Sequence, residues 1–195
     1  TLLLESGGWT RKEVEGKERW IKNKKTLKIT LTTLDETTLL QVADRIKHSW
    51  DALGVEVALE VVPRTSFERE VLRGRAFEAL LYSQISGADP DPYGFWPSSQ
   101  IDDPGVNLSS IKSRAIDVAL EQGRSTLDET KRLLSYIDFQ NAFLEEVPGI
   151  ILYASPYLYV TSGRIRGIDM QRIATPADRW FGIERWYRRW RPGWE

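Results

Sequence analysis

The sequence contains no cysteine. This excludes a disulfide framework and a thiolate-ligated metal, and it fits any redox compartment. Histidine is nearly absent too, since His48 is the only one. It falls in the middle of a helical pattern, off the apolar face, and reads as a solvated surface residue, because base catalysis needs a partner that the sequence does not supply. Charge of one sign is missing: 27 Lys and Arg stand against 28 Asp and Glu. Nothing at whole-chain level therefore points to nucleic acid or to an acidic membrane surface. No run is long and apolar enough to span a membrane. There is no Walker loop, no GxGxxG and no nucleophile elbow.

What is present is an ordinary globular balance. The 195 residues are 41% hydrophobic and 28% charged, enough for one good-sized domain with a core. The opening Thr1-Leu2-Leu3-Leu4-Glu5-Ser6-Gly7-Gly8 does not read as an export signal. It reads as the last turns of a helix with a glycine stop. A chain rarely starts at the end of an element, so a fragment of a longer protein is expected.

Leu27 to Thr32 alternates apolar and polar residues, as a half-buried strand does. Asp35 offers a cap for a helix whose apolar face is Leu39, Ala43, Ile46, Trp50 and Leu53, with Val42 at its flank and Gly54 at its end. Val55 to Val62 is a second strand, closed by Pro63. A short helix follows, capped by Ser66, carrying Phe67, Val71 and Leu72, and stopped at Gly74. Phe77 to Tyr82 is a third strand, apolar enough to be covered on both faces. Strand, helix, strand, helix, strand predicts a parallel sheet, with ligands beyond the carboxyl ends of its strands. Further helices are expected over about 113–123, with Ile116, Ala119 and Leu120 inward, and over about 128–146. The inward face of the latter is read as Leu133, Tyr136, Ile137, Phe143, Leu144 and Val147. Pro148 ends it, and Ile150–Tyr153 and Tyr157–Val160 read as strands.

The stretch SGADPDPYGFW, Ser86 to Trp96, follows the third strand directly. Asp89 and Asp91 could form an acid/base pair if one pKa were raised. With Asp102, Asp103 and Asn107 they could supply oxygens to calcium, although the spacing matches no EF-hand. Asp91 precedes Pro92, a good first helical residue, and reads as a capping turn. Asp89 comes first after the strand end, where a carboxylate would face a ligand. The tail from Arg179 to Arg191 interleaves Arg with Trp, Tyr and Phe. Such a segment could stack on single-stranded nucleic acid or lie at a membrane interface. The preferred reading is a segment that packs on another lobe, its Arg stems covering apolar surface.

Several stretches, in order and spacing, resemble one family: LLLESGGW at the start, WDALGVEVALEVV, FEREVLRGRAFEALLYSQISGADPDPYGFW, TLDETKRLLSYIDFQNAFLEEVPGIILYASPYLYVTSGRIRGI and WFGIERW. Together they cover nearly the whole chain and look like the C-terminal lobe of the bacterial extracellular solute-binding proteins of family 5, the oligopeptide-, dipeptide- and nickel-type receptors of ABC importers. The resemblance implies an α/β fold of periplasmic-binding-protein-like type II, a mostly parallel sheet flanked by helices. It implies a ligand-binding lobe over 1–173 and a tail over 174–195 that crosses back to an N-terminal lobe. The implied function is solute binding without catalysis, metal or other cofactor, outside the cytoplasm. The implied partners are a solute, its own N-terminal lobe and an ABC permease. No nucleic acid is implied, and a membrane only through a parent anchor.

By position in SGADPDP, Asp89 takes the family's role of pairing with a peptide's α-ammonium. Such a pair gives charge-assisted hydrogen bonds and rejects ligands without the amine. Tyr82, Ser83, Gln84, Ser86 and Trp96 flank it as candidate pocket residues, and Asn107 stands where the family has an asparagine before its next helix. Departures are visible. Ser86-Gly87 replaces a large residue, commonly tryptophan, before the aspartate. Ser83 stands where some oligopeptide receptors have an arginine. Ile111-Lys112-Ser113-Arg114 replaces a Tyr-Ser-Asn-Pro run, and a Lys/Glu/Arg segment fills 10–24 in place of an acidic glycine-rich turn. A peptide is the first expectation for the solute, ahead of a sugar oligomer, a metal chelate or another small molecule. Two rival functions are a ligand-sensing domain of a transcriptional regulator and a hydrolase using Asp89 and Asp91.

Overall fold

The computed structural model describes residues 1–85, 89, 91–170 and 173–188. Ser86 and Gln171, and the end of the tail over 189–195, are among the residues that lie outside them. The chain divides into two compact units, Thr1–Gln84 and Ile85–Glu195.

In the first unit a short helix α1 (Leu2–Ser6) precedes an antiparallel meander of β1 (Thr10–Val14), β2 (Lys17–Lys22) and β3 (Lys25–Thr26). Both of its turns place two residues at positive φ, Glu15 with Gly16 and Asn23 with Lys24. That backbone suits the right-handed twist of two-residue hairpins. The charged segment that departs from the family pattern is thus a regular ribbon. It contributes Trp20, 1% exposed, whose indole N–H donates to the Leu53 carbonyl at 2.7 Å. Beside it, Arg19 pairs with Asp51 at 2.6 Å and Lys17 with the same carboxylate at 3.1 Å. Hydrogen bonds from these two cations hold the Asp51 carboxyl below its ordinary pKa.

The predicted parallel sheet forms, in the order β5 (Glu56–Val62), β4 (Lys28–Leu34), β6 (Ala79–Leu81). The strand covered on both faces is β4, not the third strand as expected. Leu31, Thr32, Thr33 and Leu34 are all buried, while Ala79 and Leu80 of the edge strand β6 are half-buried. The two threonines disguised this as alternation. Their hydroxyls are satisfied, Thr32 donating to Glu60 at 2.7 Å and Thr33 to the Leu81 carbonyl at 3.1 Å, so they can sit inside. Helix α2 (Thr37–Ala52) lays Leu39 and Ala43 into the core, with Ile46 and Trp50 alongside. Three details differ from expectation. Glu36, not Asp35, takes the cap position, without a side-chain cap bond. Leu53 is over half exposed, because the chain turns at Gly54, whose φ of +89° brings it against Trp20. The helix after Pro63 starts at Arg64 (α3, Arg64–Phe67), with Ser66 inside it, and widens into a π-helical turn over Glu68–Arg73.

The second unit is built on a helical pair, α4 (Arg114–Ser125) and α5 (Glu129–Glu146). Ser113 and Asp128 cap them, Asp128 accepting from the Thr130 and Lys131 amides at 3.0 and 3.1 Å. Ile116, Ala119 and Leu120 are buried as expected. The inner face of α5 is rotated from the predicted one. Ser135, Ala142 and Phe143 are buried and Tyr136 and Phe139 join the core, whereas Leu133, Ile137, Leu144 and Val147 are exposed. Small residues, Ser135 and Ala142, bring the two helices close, which the apolar count could not register. Val147 ends α5 in the left-handed conformation before Pro148. The strands expected at 150–153 and 157–160 do not form: both segments are without a ladder, and Ile150, Ile151, Leu158 and Val160 are at least 74% exposed. Strand character needs a neighbouring strand to hydrogen-bond, and none is alongside among the described residues. The described part of the tail holds two 3-10 turns, Pro176–Trp180 and Ile183–Arg185. It ends in β8 (Tyr187–Arg188), antiparallel to β7 (Ile165–Arg166).

Candidate functional site

Within the second unit, the loop that carries the two aspartates is tied to both helices. Asp91 accepts from the Tyr93 amide at 3.0 Å and opens a 3-10 turn at Pro92, the capping role read from the sequence. Its other neighbour is Arg124 of α4, at 3.7 Å, which also lies 4.5 Å above the Tyr93 ring. Asp89 pairs instead with Arg132 of α5 through its Oδ1. Arg132 is fixed on its own helix: Nε and Nη2 donate to the Tyr136 hydroxyl oxygen at 3.3 and 3.1 Å, and the guanidinium lies 5.4 Å from that ring's centroid. Tyr136 in turn rests on Gly123 of α4, where a Cβ would come within 2.8 Å of the ring. The Tyr136 oxygen, followed by Asp89, holds the guanidinium above its already high pKa, so it is a permanent cation. Each loop carboxylate thus faces its own arginine, an arrangement unlike two acids sharing one proton.

The remainder of the loop is braced from below. Trp96 packs edge-on against Phe143, ring centroids 4.7 Å apart. Asn107 is completely buried, its Nδ2 donating to the carbonyls of Trp96, Pro97 and Ile111 at 2.9 to 3.1 Å, while its Oδ1 accepts from Ser109. Asp117 of α4 accepts from the Ser98 amide at 2.7 Å. Of the other expected site residues, Tyr82, Ser83 and Gln84 belong to the first unit and are exposed, the Tyr82 ring stacked on Phe67 at 5.9 Å. The side chain of Asp89 is itself 60% exposed. Sequence reasoning missed Arg132, Tyr136, Arg124 and Gly123. The Arg132 and Tyr136 pair at i,i+4 on one helix face was the available signal.

Among the described residues, no group of three or more His, Asp or Glu side chains could hold a metal ion. His48 is 77% exposed, against Asp44 on its own helix at 3.4 Å. No helix is long and apolar enough to cross a membrane. A depression of about 410 Å³ has Asp169, Asp178, Phe181 and Arg185 in its lining, one of about 430 Å³ is lined by Tyr93, Glu121, Gln122, Arg124 and Ser125, and Asp89 lines neither.

No family model and no curated protein sequence matches the chain. Solved structures do. The oligopeptide-binding protein AppA of Bacillus subtilis, in complex with a nonapeptide, superposes with a TM-score of 0.70 at 21% identity, over 96% of this chain and 36% of that one. The chain has the fold of part of a solute-binding protein. NikZ of Campylobacter jejuni, in complex with Ni(L-His), matches with a TM-score of 0.68 at 22% identity, over 94% of this chain and 37% of that one. The oligopeptide-binding protein of Thermus thermophilus, with a pentapeptide, gives 0.62 at 18% identity, over 75% and 27%. The periplasmic-binding-protein-like architecture expected from the motifs is therefore the one observed. The chain spans about a third of the length of these binding proteins.

Proposed function

We propose that this chain is one ligand-binding lobe of an extracytoplasmic solute receptor serving an ABC importer, with a peptide as solute. The observation that carries the reading is the likeness over almost the entire chain to structures described as peptide- and nickel-complex-binding proteins. A solvent-open carboxylate, Asp89, fits it, since it stands on a loop anchored by two helices. In this reading Asp89 accepts hydrogen bonds from the peptide's α-ammonium. A second lobe closes over the site and withdraws the pair from water, where a charge-assisted bond gains strength. Tyr82, Ser83 and Gln84 are proposed as ligand residues from their place in the sequence alone. Ser86 is proposed by position alone. Trp96 and Asn107 are proposed to act through the loop they hold. The work is binding and release, with no covalent step, and the permease is the proposed recipient of the solute.

The test is calorimetry on the complete receptor with trialanine and N-acetyl-trialanine. Asp89→Asn should weaken trialanine at least tenfold, about 1.4 kcal/mol or more, and leave the acetylated peptide nearly unchanged. Equal weakening of both would remove the ammonium role.

A further inference from the structure

We propose that Arg132 is a positioning residue for solute recognition: it holds the Asp89 carboxylate in place for the ligand's ammonium, and Tyr136 holds Arg132. This rests on the reading above. Arg132 owes its position to the helical pair and not to the loop. Two hydrogen bonds to the Tyr136 oxygen, the ring contact at 5.4 Å and the close seat of that ring on Gly123 define it before Asp89 is considered. An exposed arginine ordinarily loses rotamer freedom when it forms an ion pair, which cancels much of the gain. Here that freedom is already spent on Tyr136, and the Arg132 side chain is only 34% exposed. The pair with Asp89 can therefore order the carboxylate at little further cost. Asp91, two residues on, is fixed independently by the Tyr93 amide and Arg124. One arginine from each helix thus fixes one carboxylate of the loop.

A carboxylate offers about four lone-pair sites, so accepting from Arg132 leaves room for an ammonium. Fixing it beforehand removes part of the ordering cost of binding. The opposite role, a cation that occupies the ammonium's place and must be displaced, fits poorly with a guanidinium held to Tyr136 by two hydrogen bonds.

The experiment compares wild type, Arg132→Gln, Arg132→Lys, Tyr136→Phe and Asp89→Asn in the complete receptor. It measures binding of trialanine and N-acetyl-trialanine, together with hydrogen exchange of the peptide spanning Ile85 to Phe95. Arg132→Gln should reduce the preference for the free amine by about fivefold and speed exchange in that peptide, with exchange elsewhere unchanged. Arg132→Lys should recover part of the preference, and Tyr136→Phe should fall between wild type and Arg132→Gln. Tighter trialanine binding in Arg132→Gln, equal weakening of both ligands or unaltered exchange would overturn the proposal. If Asp89→Asn abolishes the preference while Arg132→Gln keeps it, this inference alone falls. If trialanine does not bind wild type, or Asp89→Asn keeps the preference, the functional reading falls and takes this inference with it.

Discussion

Asn107 is fully enclosed, and its side-chain amide is shared among the carbonyls of Trp96, Pro97 and Ile111. Removing the amide takes a donor from the half-buried Trp96 and Ile111 carbonyls and leaves the buried Pro97 carbonyl with the Gln100 amide alone. Asn107→Ala should destabilise the protein by about 1–3 kcal/mol, read as a lower midpoint in urea at unchanged slope. A loss under about 0.5 kcal/mol, the usual scale of surface substitutions, would show that the loop does not depend on it. Single-residue chemistry of a local kind was legible in the sequence. Asp91 before Pro92 acts as the cap read from the sequence, because the amide it satisfies lies two residues away, whereas the caps read at Asp35 and Ser66 do not form. The partner of Asp89 was not legible. Arg132 lies 43 residues on, and only the packing of α5 brings it to the loop.

At the scale of elements, the closeness of α4 and α5 decides where the arginines stand. Gly123 is buried within α4, where alanine would ordinarily favour the helix by about 0.5–1 kcal/mol. Here the added methyl would meet the Tyr136 ring at 2.8 Å, and that ring is pinned by Arg132. Gly123→Ala should therefore destabilise, by about 1–3 kcal/mol as overpacking does, and should loosen the Arg132 contact. Gly163→Ala, with nothing within 4 Å of its Cβ, is the matched control and should be near neutral. Thermal unfolding of the two variants gives the comparison, and a stabilised Gly123→Ala would refute the close-packing account. Periodicity placed both helices well, but it rotated the inner face of α5. It weighs Leu133 and Leu144 above Ser135 and Ala142, whereas close helix packing selects small side chains.

For the whole molecule, the fold corresponds to about a third of the binding proteins it resembles. Under the proposed function, half of the binding surface belongs to another lobe. The isolated chain should then bind trialanine more weakly than about 1 mM, because a shallow half-site leaves the ligand largely in water. Micromolar binding by the isolated chain in calorimetry would contradict this. Ile150, Ile151, Leu158 and Val160 keep their side chains in solvent, since no strand lies alongside them among the described residues. By itself the sequence determined the strand, helix, strand, helix, strand order over 27–82, the parallel sheet it builds, the two later helices and the Asp91 cap. All of these are written in short-range periodicity and in turn residues that act on their neighbours. The tertiary structure alone decided that β4 is the strand covered on both faces, which side of α5 faces inward, and that a permanent cation stands beside Asp89. Those outcomes depend on contacts between residues far apart in the chain, which no local pattern encodes.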